Sequence, residues 1–305
     1  MGSPGGGATS AGGAGNGSVA RDGPLRVDAH HHVWDLEVRD QPWTAELPAL
    51  RRSFSLTDLR PHLAAHRIDR TVVVQTICGP AETPELLALA AGAPEVGGVV
   101  GWVDLTAPDV TDRLAALREC PGGTFLVGVR HQVQEEPDPR WLCRPDVRRG
   151  LGAVGGAGLV YDLVVRHYQM PAVVETVSAL DQVRFVLDHA GKPPIASGAI
   201  DPWRDHLKSL GRLPNAAVKL SGLVTEADHD NWAVEQIRPY AEVTLEAFGA
   251  NRSMWGSDWP VCMLAACYED VVAMTDTFTA SMSAGERRAV FGGTAAAWYS
   301  LTEGR

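Results

Sequence analysis

From Leu25 onward the chain alternates two hydrophobic patterns. Short, nearly continuous apolar runs rich in β-branched residues recur eight times: RVDAHHHV, RTVVVQTI, VGGVVGWVDL, FLVGVRHQV, GLVYDLVV, VRFVLDHAG, AAVKLSG and SMWGSDWP. Runs of this kind mark strands buried on both faces, as parallel strands are. Between them lie amphipathic stretches of helical period: LTDLRPHLAAHR, TPELLALAAGAP, DVTDRLAALREC, DVRRGLGAVGGA, MPAVVETVSALD and WAVEQIRPYAEVTLEAFG. Thr83 before Pro84, and Asp109, read as helix starts. Eight strands alternating with helices predict an α/β fold, a single (β/α)8 barrel over residues 25–303. The rival is an open doubly wound sheet, but no G-x-G-x-x-G follows any strand, so its dinucleotide-binding form lacks support.

Residues 1–24, rich in Gly, Ala and Ser, offer no apolar face and read as a disordered tail. The tail lacks the basic and apolar regions of a signal peptide, and Gly6 stands where a myristoylation signal needs Ser or Thr. No internal repeat and no linker breaks the rest. Two connections are longer than a barrel requires, Trp34–Ser55 after the first strand and Val261–Tyr268 after the last. Both leave the C-terminal ends of strands, where barrel enzymes carry their active sites, and are candidates for a lid or a specificity wall.

Composition narrows the partners. A net charge of −10 argues against a nucleic-acid footprint or an anionic membrane surface, and no run of 18 apolar residues is long enough to span a bilayer. A small-molecule substrate remains the expected partner. Five cysteines, Cys78, Cys120, Cys143, Cys262 and Cys267, contain no C-x-x-C pair and fit a reduced cytoplasm. Nothing in the sequence sets an oligomeric state.

The candidate chemistry sits at strand ends. His30 and His32 are two apart on the first strand and so share a face, while His31 points away and reads as structural. Two imidazoles at a barrel mouth can hold zinc or polarise a substrate oxygen. His189 closes the sixth strand. Asp258 closes the eighth, and a carboxylate there has to be hydrated, paired or ligated. Set against the three histidines it is a candidate general base. A lone histidine or aspartate would read as a satisfied core or capping residue, and the convergence of four is what favours chemistry. Arg130 on the fourth strand offers a planar fork for a carboxylate or oxyanion, with a surface salt bridge as the ordinary alternative. Lys219 on the seventh strand is a weaker candidate for substrate binding, since its long stem reaches solvent as easily. Tyr161 and Asp162 fall in the same region. Trp34, Trp43 and Trp259 could floor a sugar-like ligand, although tryptophan is more often simply packed.

The motifs VDAHHHVWD, GVRHQVQEEPDP, LDHAGKP, KLSG and GSDWPVC, in this order at successive strand ends, resemble the amidohydrolase-related family of the amidohydrolase superfamily. Within it they are most similar to the sugar-lactone hydrolases. The resemblance runs from about Arg26 to about Leu301. It implies catalytic roles for His30, His32, His189 and Asp258, the last activating water, and a substrate contact for Arg130. It also implies one divalent metal, zinc, on His30, His32 and Asp258. Metal-dependent relatives carry a fifth-strand histidine, whereas this strand reads GLVYDLVV and the nearest histidine is His167. Some members of the lactonase branch work without a divalent metal, so activity without zinc is expected. Thr294 stands where relatives usually show Asn, which reads as an exchange of helix caps. The expected activity is water attack on a lactone carbonyl. The alternatives are amide hydrolysis or decarboxylation on the same scaffold, and a catalytically silent barrel that binds a sugar acid.

Overall fold

The computed structural model describes residues 1–2 and 24–301, so the tail expected over residues 1–24 lies almost wholly outside the described residues. Each apolar run contains a strand. These are β1 (Val27–His31), β2 (Arg70–Val74), β3 (Val96–Gly101), β4 (Leu126–His131), β5 (Val160–Leu163), β6 (Arg184–Leu187), β7 (Ala216–Leu220) and β8 (Ser253–Trp255). All are parallel and pair in chain order, β1 to β8. Closure comes from residues flanking β8. Asp258 N donates to His30 O at 2.8 Å and His32 N to Trp259 O at 2.7 Å. The molecule is a (β/α)8 barrel.

Among the described residues eight main helices cover the strands: α1 (Leu56–Ala65), α2 (Glu82–Ala91), α3 (Val110–Glu119), α4 (Pro145–Gly156), α5 (Met170–Ala179), α6 (Trp203–Gly211), α7 (Val234–Phe248) and α8 (Tyr268–Phe278). Two short ones, α9 (Ala284–Arg288) and α10 (Thr294–Trp298), close the chain. The expected caps differ in detail. Asp109 does precede α3, but its carboxylate accepts from Arg113 Nε rather than from a helix N–H. Thr83 is the second residue of α2, and its hydroxyl ties the helix to the Trp102 backbone, 2.8 Å from Trp102 N. Thr294 opens α10 and donates to the Ala250 carbonyl at 2.8 Å instead of capping.

Alternation along the strands divides the core. Outward residues such as Val73, Val99, Val129, Phe185 and Val218 pack under the helices. Inward residues Val72, Val74, Val100, Val160, Val186, Ala217 and Met254 form an apolar layer inside the barrel, joined by Tyr299 after α10. Two residues beyond Val160, Val186 and Ala217, on β5, just past β6 and on β7, stand Asp162, Asp188 and Lys219. A buried charged layer therefore lies directly above the apolar one. The β1–β2 register slips between Asp28 and His31. Val27 and Ala29 join the inner layer before the slip, whereas His30 and His32 face the interior after it. Asp28 is turned outward, and its carboxylate accepts from Tyr268 Oη of α8.

Candidate active site

The polar side chains of the mouth come from strand ends and from the turns that follow them. His30 and His32 leave the end of β1 with their Nε2 atoms 3.2 Å apart. Asp258 Oδ1 lies 3.5 Å from His32 Nε2, 3.7 Å from His30 Nε2 and 3.9 Å from His189 Nε2. The four sequence candidates thus meet at one carboxylate. All four are at least nine-tenths buried.

The backbone is strained where two of them sit. His189 has φ 52° and Asp258 φ 56°, the left-handed region that costs an L-residue roughly 1–2 kcal/mol. Hydrogen bonds hold both turns. Asp258 N is tied to His30 O, Trp259 N to Ser257 Oγ, and Ser257 N to Asp28 Oδ1 at 2.8 Å. On the other turn, Lys192 N bonds His189 O, and Trp203 Nε1 bonds Ala190 O. Ser221 Oγ sits 2.9 Å from His189 Nδ1. Gly222 follows at φ 59°, and a Cβ there would lie 2.5 Å from His189 Nδ1 and 3.0 Å from Asp258 Oδ2. Glycine is required at this position by conformation and by space together.

Electrostatics keep the Asp258 carboxylate charged and His30 and His189 neutral. Burial alone would raise the Asp258 pKa, but the adjoining His189, His32 and His30 outweigh it and pull it well below the usual range. Burial lowers His189, with Asp258 and Asp188 opposing. Burial and the Lys219 ammonium lower His30 well below its ordinary value.

Beneath the mouth, Lys219 Nζ is 2.6 Å from Asp162 Oδ2 and 3.0 Å from Asp188 Oδ1. Tyr299 Oη lies 2.8 Å from both Asp162 oxygens. Burial raises Asp162 to about 6 against the pull of Lys219. In Asp188, burial is overcome by Lys219, His30 and Arg130, and the pKa falls well below normal.

The residues expected to touch substrate are placed differently from one another. Arg130 is 3% exposed, and its fork is engaged internally, Nη1 on Asp188 Oδ2 at 3.0 Å and Nη2 on Gln75 O at 2.6 Å. Its Nε is buried without a partner. Lys219 is fully buried in the charged layer, so the expectation of a direct substrate contact is corrected by its packing. Trp34 and Trp259 are also buried, each packed edge-on against Phe54, so neither presents a face as a floor. Trp43 is the exposed one, at 38%. Paired backbone hydrogen bonds between Trp34 and Phe54 pin the base of the first long loop. Beside it lies a cavity of about 280 Å³ lined by Trp34, Arg39, Phe54, Leu56, Glu82 and Leu86. His31 is buried, its Nε2 2.9 Å from Thr71 Oγ1. Tyr161 is buried among the outward core residues.

Sequence reasoning did not single out Asp188, Asp28, Ser257, Ser221, Gly222 or Tyr299. Asp188 stood beside His189 in LDHAG, and its place two residues after the inward Val186 was the available signal.

The donor set suits a metal ion. Ligand atoms of His30, His189 and Asp258 lie within 4.8 Å of one another, with His32 adjoining. His189 therefore joins the expected set of His30, His32 and Asp258. The fifth strand contributes Asp162, engaged by Lys219 and Tyr299, while His167 follows the strand in a separate turn.

Known proteins match this chain along nearly its whole length. The amidohydrolase family profile covers residues 27–301. An L-fucono-1,5-lactonase of Burkholderia multivorans is 40% identical over 293 residues, spanning 92% of this chain and 98% of the relative. An L-fucono-1,5-lactonase of Burkholderia ambifaria is 36% identical, spanning 91% and 96%. A crystal structure of an amidohydrolase from Burkholderia multivorans with bound zinc superposes with a TM-score of 0.87 at 40% identity, covering 91% of this chain and all of the other. By fold, by the histidines and aspartate at its strand ends and by these matches, the chain belongs to the amidohydrolase family.

Proposed function

We propose that the protein is a hydrolase that opens the lactone ring of a sugar acid, with Asp258 as general base. The observation that carries this reading is the single ionised carboxylate ringed by His30, His32 and His189 at the barrel mouth. The two lactonase relatives supply the substrate class.

Asp258 takes a proton from water, and the hydroxide attacks the lactone carbonyl carbon. His30 and His189 donate hydrogen bonds to the oxygen that becomes negative, a stabilisation that a buried site enlarges. The C–O bond to the ring oxygen breaks, and the proton held by Asp258 passes to the departing alkoxide, giving an open-chain hydroxy acid. Arg130 fixes Asp188 and Gln75 and leaves its Nε for a substrate oxygen.

A divalent metal would be held by His30, His189 and Asp258 with His32 beside them, and when bound it would polarise the carbonyl. The fifth strand offers Asp162, already engaged by Lys219, in place of the histidine of metal-dependent relatives, so we infer that zinc is not required. All five cysteines are free, in keeping with a cytoplasmic setting, and no helix among the described residues is long and apolar enough to cross a membrane.

The test is a pH-indicator screen of sugar-acid lactones, including L-fuconolactone, with and without a chelator. Acid release on at least one lactone, largely kept after chelation, is expected. No turnover of any lactone would overturn the assignment, and complete, zinc-reversible loss on chelation would overturn the metal-independent form of it.

A further inference from the structure

Lys219 is a charged side chain of the barrel interior that the hydrolytic steps do not use, and its ammonium is closely surrounded. An ammonium carries three N–H donors and no acceptor. Three acceptors surround Nζ: Asp162 Oδ2 at 2.6 Å, Asp188 Oδ1 at 3.0 Å and His30 Nδ1 at 3.1 Å. All four residues are 0% exposed, so no water competes for these positions.

His30 can hold its proton in two ways. With the proton on Nε2, Nδ1 accepts from Lys219 at 3.1 Å, beside the hydrogen bond from Nζ to Asp162 Oδ2 and the ion pair with Asp188. With the proton on Nδ1, it can donate to Asp188 Oδ1 at 3.3 Å, but it then faces an N–H of Lys219 at 3.1 Å, donor against donor. The other end of the ring decides the same way. His32 Nδ1 lies 2.7 Å from the Val74 carbonyl, which can only accept, so the His32 proton is on Nδ1 and its Nε2 is a lone pair. That lone pair is 3.2 Å from His30 Nε2. A proton on His30 Nε2 completes a continuous donor chain, Lys219 to His30 to His32 to Val74. A proton on Nδ1 sets two lone pairs facing each other, and the 3.4 Å contact from the donor Arg130 Nη1 to His30 Nε2 is what that tautomer gains.

We propose that Lys219 is a positioning residue that fixes His30 as an Nε2–H donor, and that it competes with a divalent metal ion for that imidazole. The donor role in catalysis rests on the lactonase reading above; the competition does not. A metal ligand must offer a lone pair, and the Nε2 of His30 faces Asp258 and His189. To bind there, the metal has to drive the proton to Nδ1 and onto Asp188. That is the usual carboxylate–histidine–metal arrangement, and it costs Lys219 one acceptor. Removing Lys219 removes the obstacle.

Two measurements test this, and neither involves a substrate, so a failed lactone screen would leave the inference standing. The first is long-range ¹H–¹⁵N imidazole spectroscopy of the metal-free wild-type chain, with His30 assigned from the signals lost in His30→Gln. A protonated Nε2 and a bare Nδ1 are expected; the reverse pattern overturns the proposal. The second is calorimetric titration of Zn²⁺ into the wild type and into the double variant Lys219→Met with Asp162→Asn. The double change removes the ammonium together with one carboxylate it neutralises and leaves Asp188 for His30 Nδ1. Zinc should bind the folded variant at least about tenfold more tightly, about 1.4 kcal/mol. Equal or weaker binding by the folded variant overturns the competition. If the double variant does not fold, the spectrum of the wild type alone decides.

Discussion

Replacing Asp258 by Asn tests the proposed base most directly, because the amide keeps the shape and removes the charge. The structure sets both sides of the expected outcome. Asp258 Oδ1 is within 3.5–3.9 Å of three imidazole nitrogens, yet burial holds His30 and His189 in their neutral forms. The lost interactions are therefore largely ion–dipole contacts, and the desolvation penalty of a carboxylate that is 3% exposed disappears with them. The fold should change by no more than about 1–2 kcal/mol. The chemical step should lose far more. General-base catalysis typically contributes about 10²- to 10⁴-fold, or roughly 3–5 kcal/mol. The imidazoles that keep Asp258 ionised also weaken it as a base, so we expect the lower half of that range, with kcat down at least about a hundredfold and KM nearly unchanged. The assay is a pH-indicator progress curve on a confirmed lactone, with circular dichroism and melting as folding controls. A folded variant that keeps more than about a tenth of wild-type kcat would refute the assignment and make His189 the leading candidate.

Three other expectations follow from the same geometry. Gly222→Ala puts a Cβ 2.5 Å from His189 Nδ1 at a left-handed φ, so kcat should drop at least about tenfold and melting should fall; a fully active variant would show that the turn can move freely. Arg130→Lys loses the fork that holds Asp188 and Gln75, leaving buried acceptors unmet; a loss of about 1–3 kcal/mol in urea unfolding is expected alongside a raised KM, and unchanged stability would contradict the internal bonding. Burial lowers the His131 pKa below its ordinary 6.5, against the pull of Glu136. Its contribution to stability is therefore complete above 6.5 and lost as the pH falls below that value, so melting of the wild type should decline more steeply below pH 6.5 than melting of His131→Gln; equal slopes would exclude His131 as a source of acid sensitivity.

The barrel was legible in the sequence because parallel strands buried on both faces leave long apolar runs that no other element mimics. All eight runs contain a strand. Asp258 and the three histidines around it were legible for a related reason, since polar residues that end such runs have no apolar reason to be there. What the sequence hid was depth. Lys219 and Arg130 lie on strands in the expected places, but whether a long cation reaches solvent or turns into the barrel depends on carboxylates from other strands. Asp162 and Asp188 are 57 and 31 positions away from Lys219 in the chain. The three tryptophans were ambiguous for another reason. Trp34 and Trp259 are buried through one shared neighbour, Phe54, at the far end of a loop with no periodicity to read.

The slip in β1 shows how the layers depend on each other. Strict alternation would put Asp28, His30 and His32 on one face, adding a further carboxylate to an interior that already holds Asp162, Asp188 and Asp258. The register shift instead sends Asp28 outward to Tyr268, where it still accepts from Ser257 N and His30 N. One carboxylate thereby ties the base of the Asp258 turn to the backbone of His30 without adding charge to the mouth. The interior keeps two buried cations, Lys219 and Arg130, for Asp162 and Asp188, and Asp258 faces the Nε2 atoms of all three imidazoles. A charged layer balanced in this way leaves the single mouth carboxylate ionised and free of a cationic partner, which is the condition a general base needs.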